Sequence, residues 1–238
     1  MAQPIEVYYW PTPNGHKVTI ALEEMGLPYE IRPVNIAKGD QFKPEFLAIS
    51  PNNRMPAIVD PDGPGGKPIS VFESGAILQY LGRKSGGFYG ETERNRIEVE
   101  EWLFWQMAGL GPMAGQAHHF RGYAGTFLLD QRQVAYGAAR YTDEVHRLYR
   151  VLNKRLEGRD FIAGAYSIAD MACWPWTRSW ALQGIVLDEF PSLKAWWERI
   201  DAREAVQRAL ALQELVRSDR KPSAQDAEEM RRNLFGQR

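Results

Sequence analysis

The 238-residue chain is 44% hydrophobic and 25% charged with a formal net charge of −1, an ordinary globular profile with length enough for two domains. That balance gives no field for nucleic acid or an anionic membrane. The N-terminus also lacks a basic-then-apolar leader, and no apolar run approaches the ~20 residues of a membrane span. A cytoplasmic protein is expected, with no nucleic acid and no membrane among its partners. Cys173 is the single cysteine, which excludes an intramolecular disulfide, a CxxC couple and a thiolate-rich metal site. His118 and His119 are adjacent and point about 100° apart on a helix, so no metal is expected.

Residues 5–10 alternate and are rich in β-formers, which predicts a first strand. Pro11-Thr12-Pro13-Asn14-Gly15 breaks it, and residues 16–25 continue as an amphipathic helix with Val18, Ala21 and Leu22 on one face. Thr12 to Asn14 therefore lie where strand, turn and helix N-terminus meet. Residues 29–34 form a second strand, which makes a right-handed βαβ unit. Residues 41–47 read as a short irregular helix, and Gln41 before it is either a solvated loop residue or free for a ligand.

The most informative stretch follows, over residues 50–81. Pro56 stands ahead of the β-branched run Ala57-Ile58-Val59, where a proline calls for a strand edge, a bulge or a cis bond. A cis Met55-Pro56 bond would turn the Met55 backbone outward. A Gly/Pro turn and a second strand lead into Glu73-Ser74-Gly75, opening a helix with Ile77, Leu78 and Leu81 on one face. Glu73-Ser74 is either a plain N-cap or, with the unpaired amides of the first turn, a seat for a carboxylate. The order β-α-β-α-β-β-α makes an α/β domain over residues 1–86, with 85–87 as linker.

Residues 91–217 are helical in period, predicting an all-α domain, with residues 218–238 as a polar tail. Ile97, Glu101 and Phe104 mark a long helix expected to break at Gly109-Leu110-Gly111-Pro112. Val134, Ala138, Tyr141, Val145, Leu148 and Leu152 are spaced as a packing seam, with Arg140 just off it. Ser167-Ile168-Ala169-Asp170 is a capping box, stapled by Tyr166 and Met171, ahead of a helix that Pro175 should kink. Helices are also expected over 190–200 and 204–216. Ser223 to Asp226 are able to cap a last short helix ahead of Asn233-Leu234-Phe235, the tail being either a frayed end or a flap.

An out-turned backbone before Pro56 beside an anion-binding helix start suits a peptide-like ligand with a carboxylate. In this the sequence resembles the thioredoxin-like domain of glutathione transferases. A thioredoxin-like domain usually carries a nucleophilic cysteine in the turn after its first strand. Here that place holds Thr12, so the sulfur must come from a bound thiol, for which glutathione is the natural candidate. A thiol of pKa near 8.5 is only about 3% ionised at pH 7, whereas at 6.5 it would be about three-quarters thiolate. That shift is worth about 2.7 kcal/mol. The helix dipole supplies ~0.3 to 2 kcal/mol; hydrogen bonds from Thr12 and Asn14 to the anion would provide the remainder. Otherwise Thr12 merely caps the helix and Asn14 shapes the turn. Tyr8 and Tyr9 are weaker activators, since at least one should be buried in the sheet. Cys173 reads as inert packing.

The runs Pro11-Thr12-Pro13-Asn14-Gly15-His16-Lys17, Ile49-Ser50-Pro51-Asn52-Asn53 and Phe72-Glu73-Ser74-Gly75-Ala76-Ile77-Leu78 narrow the resemblance to the bacterial Nu-class glutathione transferases. So do Leu103-Phe104-Trp105-Gln106 with Gly109-Leu110-Gly111-Pro112-Met113, and Tyr166-Ser167-Ile168-Ala169-Asp170 with Ala172-Cys173-Trp174-Pro175-Trp176. The resemblance implies the glutathione transferase fold and a homodimer, with glutathione, reduced or as its disulfide, as cosubstrate. It implies that Thr12 and Asn14 address the sulfur, while Asn14, Gln41, Arg54, Met55, Glu73, Ser74 and Arg140 hold glutathione. The implied activity is reduction of a small-molecule or peptide disulfide. Conjugation to an electrophile or peroxide reduction by the same thiolate is the enzymatic alternative, and a non-catalytic scaffold or regulator is the other.

Overall fold

Strand alternation over the first residues becomes β1 (Ile5–Tyr9), with Ile5, Val7 and Tyr9 buried and Glu6 and Tyr8 partly exposed. The computed structural model describes residues 3–126, 130–216 and 224–235. The chain forms two units, Met1–Leu81 with Ala205–Arg238, and Gly82–Glu204.

In the first unit β1 pairs parallel with β2 (Tyr29–Pro33) and antiparallel with β3 (Ala57–Asp60), which pairs antiparallel with β4 (Ile69–Phe72). The sheet order is β2-β1-β3-β4. This is the thioredoxin-like α/β arrangement expected from the strand and helix order. Helix α1 (Pro13–Met25) starts three residues earlier than its apolar period suggests, because Thr12 caps it and Pro13, with its fixed φ and no N–H, suits the first turn. It ends on Gly26 in the left-handed conformation, where glycine bears no side-chain penalty. A one-turn 3₁₀ segment at Asp40–Phe42 and α2 (Pro44–Leu47) form the irregular connection, and α3 (Ser74–Ser85) follows β4. Val34, Phe46, Met55 and Ala57 make a buried cluster against Tyr8, Trp10, Ile36 and Ile49.

The second unit is helical. Its α4 (Glu93–Trp105) does not break at Gly109-Leu110-Gly111-Pro112 as expected. A π-helical turn at Gln106–Leu110 carries it into α5 (Gly111–His118), with the Gly111 N–H donating to the Gln106 carbonyl. Pro112 is the second residue of α5. A Cβ on Gly111 would lie 2.6 Å from Gln106 Nε2, so the buried Gln106 side chain would have to shift to admit one. The periodic residues Ile97 and Phe104 face outward, 50% and 62% exposed, while Val99 and Leu103 of α4 are buried.

Helix α6 (Gln131–Leu156) carries the seam only in its second half. Val145, Leu148, Tyr149, Leu152 and Leu156 are buried, whereas Val134, Ala138 and Tyr141 are half-exposed. Helix α7 (Ile168–Thr177) opens on the expected capping box, and Pro175 lies in its last turn. Helix α8 (Pro191–Asp201) completes the unit.

The chain returns to the first unit with α9 (Glu204–Ala211), a 3₁₀ turn at Leu212–Leu215 and α10 (Ala224–Phe235). Arg208 of α9 holds Glu23 of α1 at 2.7 Å. The last helix continues through Asn233-Leu234-Phe235 instead of ending ahead of them, and the proposed cap at Ser223 lies outside the described residues.

Candidate active site

The turn after β1 is built to bring the start of α1 close to the backbone. A Cβ on Gly15 would meet the Trp10 carbonyl at 2.2 Å and Met55 Cε at 3.0 Å, so only glycine fits. Held there, Thr12 Oγ1 accepts from the Gly15 N–H at 3.1 Å and donates to Met55 Sδ at 3.4 Å. Thr12 and Asn14 are both partly exposed, and no acidic residue occupies the first turn of α1. The positive end of this helix therefore has no side-chain carboxylate of its own in that turn.

Met55 precedes a cis peptide bond to Pro56, and the β3 ladder begins only at Ala57, so the Met55 backbone lies outside the sheet pairing. The loop before it is tied by Ser50, whose buried hydroxyl donates to the Arg54 carbonyl at 2.8 Å. The Arg54 side chain is exposed and makes no ion pair among the described residues. Asn52 Nδ2 donates to Glu73 Oε1 at 3.4 Å, linking this loop to the β4–α3 junction.

At that junction Glu73 adopts φ of 69°, in the left-handed region that a non-glycine residue enters at a cost of ~1 to 3 kcal/mol. Its carbonyl still accepts from the Ile77 N–H at 2.9 Å, closing the first turn of α3. Ser74 is buried beneath it, and its Oγ accepts from Lys17 Nζ at 3.4 Å. Thus the fold brings Thr12 against Met55, Asn52 against Glu73, and Ser74 against α1.

Gln41 is only 5% exposed, and its amide donates to the carbonyls of Ile36 at 3.2 Å and of Asn233 at 3.3 Å. Asn233 in turn donates to the Ala37 carbonyl at 2.8 Å. Gln41 is thus covered by α10. Arg140 lies exposed on α6 of the helical unit.

The tyrosines are poor thiol activators. Tyr9 is wholly buried with its hydroxyl 3.4 Å from His16 Nδ1. Burial first, and then the Glu6 carboxylate, hold the Tyr8 phenol above its ordinary range. Cys173 is fully buried in α7. Among the described residues no group of three or more His, Cys, Asp or Glu could hold a metal ion. No helix of these residues is long and apolar enough to cross a membrane.

Sequence reasoning missed Lys17, Asn52 and Asn233. For Lys17 a signal existed: it shares the face of Ile20 and Ala21, three and four residues on, where a lysine is out of place. Asn52 and Asn233 gave none, because their partners lie 21 and 192 to 196 residues away.

A half-exposed hydroxyl and amide at an acid-free helix start, an unladdered backbone segment and a second helix start beside a buried lysine could bind an extended, anionic, sulfur-bearing ligand. Comparison with known proteins bears on this directly. Residues 12–84 match the glutathione S-transferase N-terminal domain and residues 127–204 match the glutathione S-transferase C-terminal domain. The chain is 51% identical over 208 residues to the disulfide-bond oxidoreductase YfcG of Escherichia coli (strain K12), covering 87% of this chain and 94% of the relative.

Among solved structures, a glutathione transferase family member from Pseudomonas fluorescens with two glutathione bound is 47% identical, with a TM-score of 0.80. That match covers 87% of this chain and 92% of the other. A glutathione transferase from Pseudomonas putida, with one glutathione disulfide bound per subunit, is 43% identical at a TM-score of 0.81 over 87% and 90% of the two chains. On these matches, and on a fold of the same two-part plan, the chain belongs to the glutathione transferase family.

Proposed function

We propose that this protein is a glutathione-dependent disulfide-bond reductase of the Nu class that works without a protein thiol. The observation that carries the reading is Thr12 at the start of α1, half-exposed and capping the helix, while the chain's single cysteine is buried in α7. The reacting sulfur then belongs to bound glutathione, held with its cysteinyl backbone along Met55 and its γ-glutamyl end at Glu73 and Ser74. Arg54 and Gln41 would contribute to that hold, and Arg140 is carried by the family resemblance alone. Thr12, its hydroxyl hydrogen turned from Met55 Sδ to the bound sulfur, and Asn14 stabilise the thiolate by donating hydrogen bonds, aided by the dipole of α1.

The reaction balances as two exchanges. The glutathione thiolate attacks one sulfur of the substrate disulfide, forming a mixed disulfide and expelling a thiolate that takes up a proton. A second glutathione thiolate attacks the glutathione sulfur of the mixed disulfide, giving glutathione disulfide and the second reduced thiol. Neither step needs a general base, only in-line sulfurs and a stabilised leaving thiolate. The name of the Escherichia coli relative and the glutathione and glutathione disulfide in the Pseudomonas structures support this chemistry. Ile97 and Phe104, seven residues apart on an outward face of α4, support a homodimer.

Glutathione-dependent reduction of 2-hydroxyethyl disulfide, coupled to glutathione reductase, tests the reading. The parent should turn over, and Thr12→Ala should lose about 10- to 100-fold in kcat/KM, or about 1.4 to 2.7 kcal/mol of transition-state stabilisation. Equal rates for parent and variant would remove Thr12 from the mechanism. Glutathione binding without any disulfide turnover would remove the reductase reading.

A further inference from the structure

Helix α10 is polar, and among its described side chains only Asn233 is buried, while Glu228, Glu229, Met230, Arg231 and Arg232 on the turns before it are exposed. It has 12 residues, a length at which a helix is marginal by itself in water. Its seat is the loop after β2. Asn233 Nδ2 donates to the Ala37 carbonyl at 2.8 Å, and the same carboxamide lies 3.3 Å from where a Cβ on Gly39 would stand. The main-chain carbonyl of Asn233 accepts from Gln41 Nε2 at 3.3 Å.

The Gln41 carboxamide has a donating and an accepting side, and the fold matches only the first. Nε2 donates to the carbonyls of Ile36 and Asn233, whereas Oε1 is buried and has no hydrogen-bond partner among the described residues. A buried acceptor left without a donor is destabilising. The full match for a carboxamide is a peptide group, whose carbonyl accepts from Nε2 while its N–H donates to Oε1. At Gln41 helix α10 offers the carbonyl alone.

We propose that α10 is an autoinhibitory strap: the Asn233 carbonyl holds the Gln41 amide in place of a carbonyl or carboxylate of the ligand, so that docking of α10 and binding of glutathione at Gln41 exclude each other. The inference rests on the reading of Gln41 as a glutathione contact. Glutathione carries peptide N–H groups and can supply the donor that α10 lacks, which lets it displace a helix held at one buried side chain. The coupling is reciprocal: glutathione loosens α10, and a loosened α10 tightens glutathione.

The test begins with hydrogen–deuterium exchange of the full chain, with and without saturating glutathione. Exchange over residues 224–235 should quicken about threefold or more when glutathione binds. Exchange that is unchanged or slowed there overturns the strap. Calorimetric titration then locates the contact. Asn233→Ala should bind glutathione about two- to fivefold more tightly than the parent, and in a Gln41→Leu background the same substitution should change affinity by less than about 1.5-fold. A gain that persists in that background overturns the assignment to Gln41, as does no gain in the parent. Should Gln41→Leu not fold, the exchange of the parent decides. A parent that binds no glutathione overturns the functional reading and this inference with it, whereas binding that leaves α10 in place overturns this inference alone.

Discussion

Two helix starts in this molecule, at Thr12 and at Ser167, use a hydroxyl cap and serve opposite ends. At α7 the Ser167 side chain accepts from the Ala169 N–H, and Asp170 reaches back to the Ser167 N–H and hydroxyl. The same carboxylate accepts from the Ile162 N–H at 3.0 Å and from Trp196 Nε1 at 2.8 Å. Four donors converge on one buried acid, and the start of this helix is closed. At α1 the cap is partly exposed and the first turn holds no acid. A helix start that supplies its own anion works in folding, and one that lacks an anion is suited to receive one.

The comparison breaks first at Asp170. Asp170→Ala should strip a buried acceptor from four donors and remove the box, costing about 3 to 5 kcal/mol in urea unfolding. A loss below about 1 kcal/mol would show that α7 does not depend on its box.

The pH dependence of stability sharpens the same point. Burial pushes the Asp170 carboxyl up to about 6, against the pull of the hydrogen bonds donated to it. Its value in the unfolded chain is about 3.9, so the folded state holds the proton to higher pH. The stability this contributes is fully present below about pH 4 and is lost as pH rises through about 6, by up to about 3 kcal/mol. The stability difference between parent and Asp170→Asn should follow that window and be flat above it. A difference that is the same at pH 4.5 and 7 would contradict the shift.

On the ligand side, Glu73→Gly relieves the left-handed strain at the start of α3. It should raise thermal stability by about 1 kcal/mol while weakening glutathione several-fold. Stability and affinity rising together would mean that the strain serves no ligand. The smallest effect is expected at α10. Asn233→Ala removes the bond to Ala37 and loosens the cover on Gln41, so glutathione should bind about two- to fivefold tighter by titration, about 0.4 to 1 kcal/mol. Unchanged affinity would show that Gln41 needs no release.

Much of the first unit was legible because its signals are local. Alternation at Ile5, Val7 and Tyr9, a proline placed against a strand pattern at Pro56, and Ser74 opening an apolar period each lie within a few residues of what they cause. The expected helix break at Gly109 to Pro112 was misread for the same reason. Glycine and proline report local preference, while the π-helical turn at Gln106–Leu110 answers to packing, with Gly111 pressed against Gln106 Nε2. The outward face of Ile97 and Phe104 likewise shows that periodicity identifies a stripe without saying what covers it.

By itself the sequence determined the α/β-then-helical plan, the closed box at Ser167 and the threonine, not a cysteine, in the turn after the first strand. Each depends on residue types at short spacing, where backbone geometry leaves few choices. Only the tertiary structure decided that Lys17 lies under Ser74, that Asn52 reaches Glu73, and that Asn233 covers Gln41. These pairs are 57, 21 and 192 residues apart, and no periodicity encodes them. They arise because the sheet and its helices must close on one core, and the polar groups carried along must be satisfied wherever that closure leaves them.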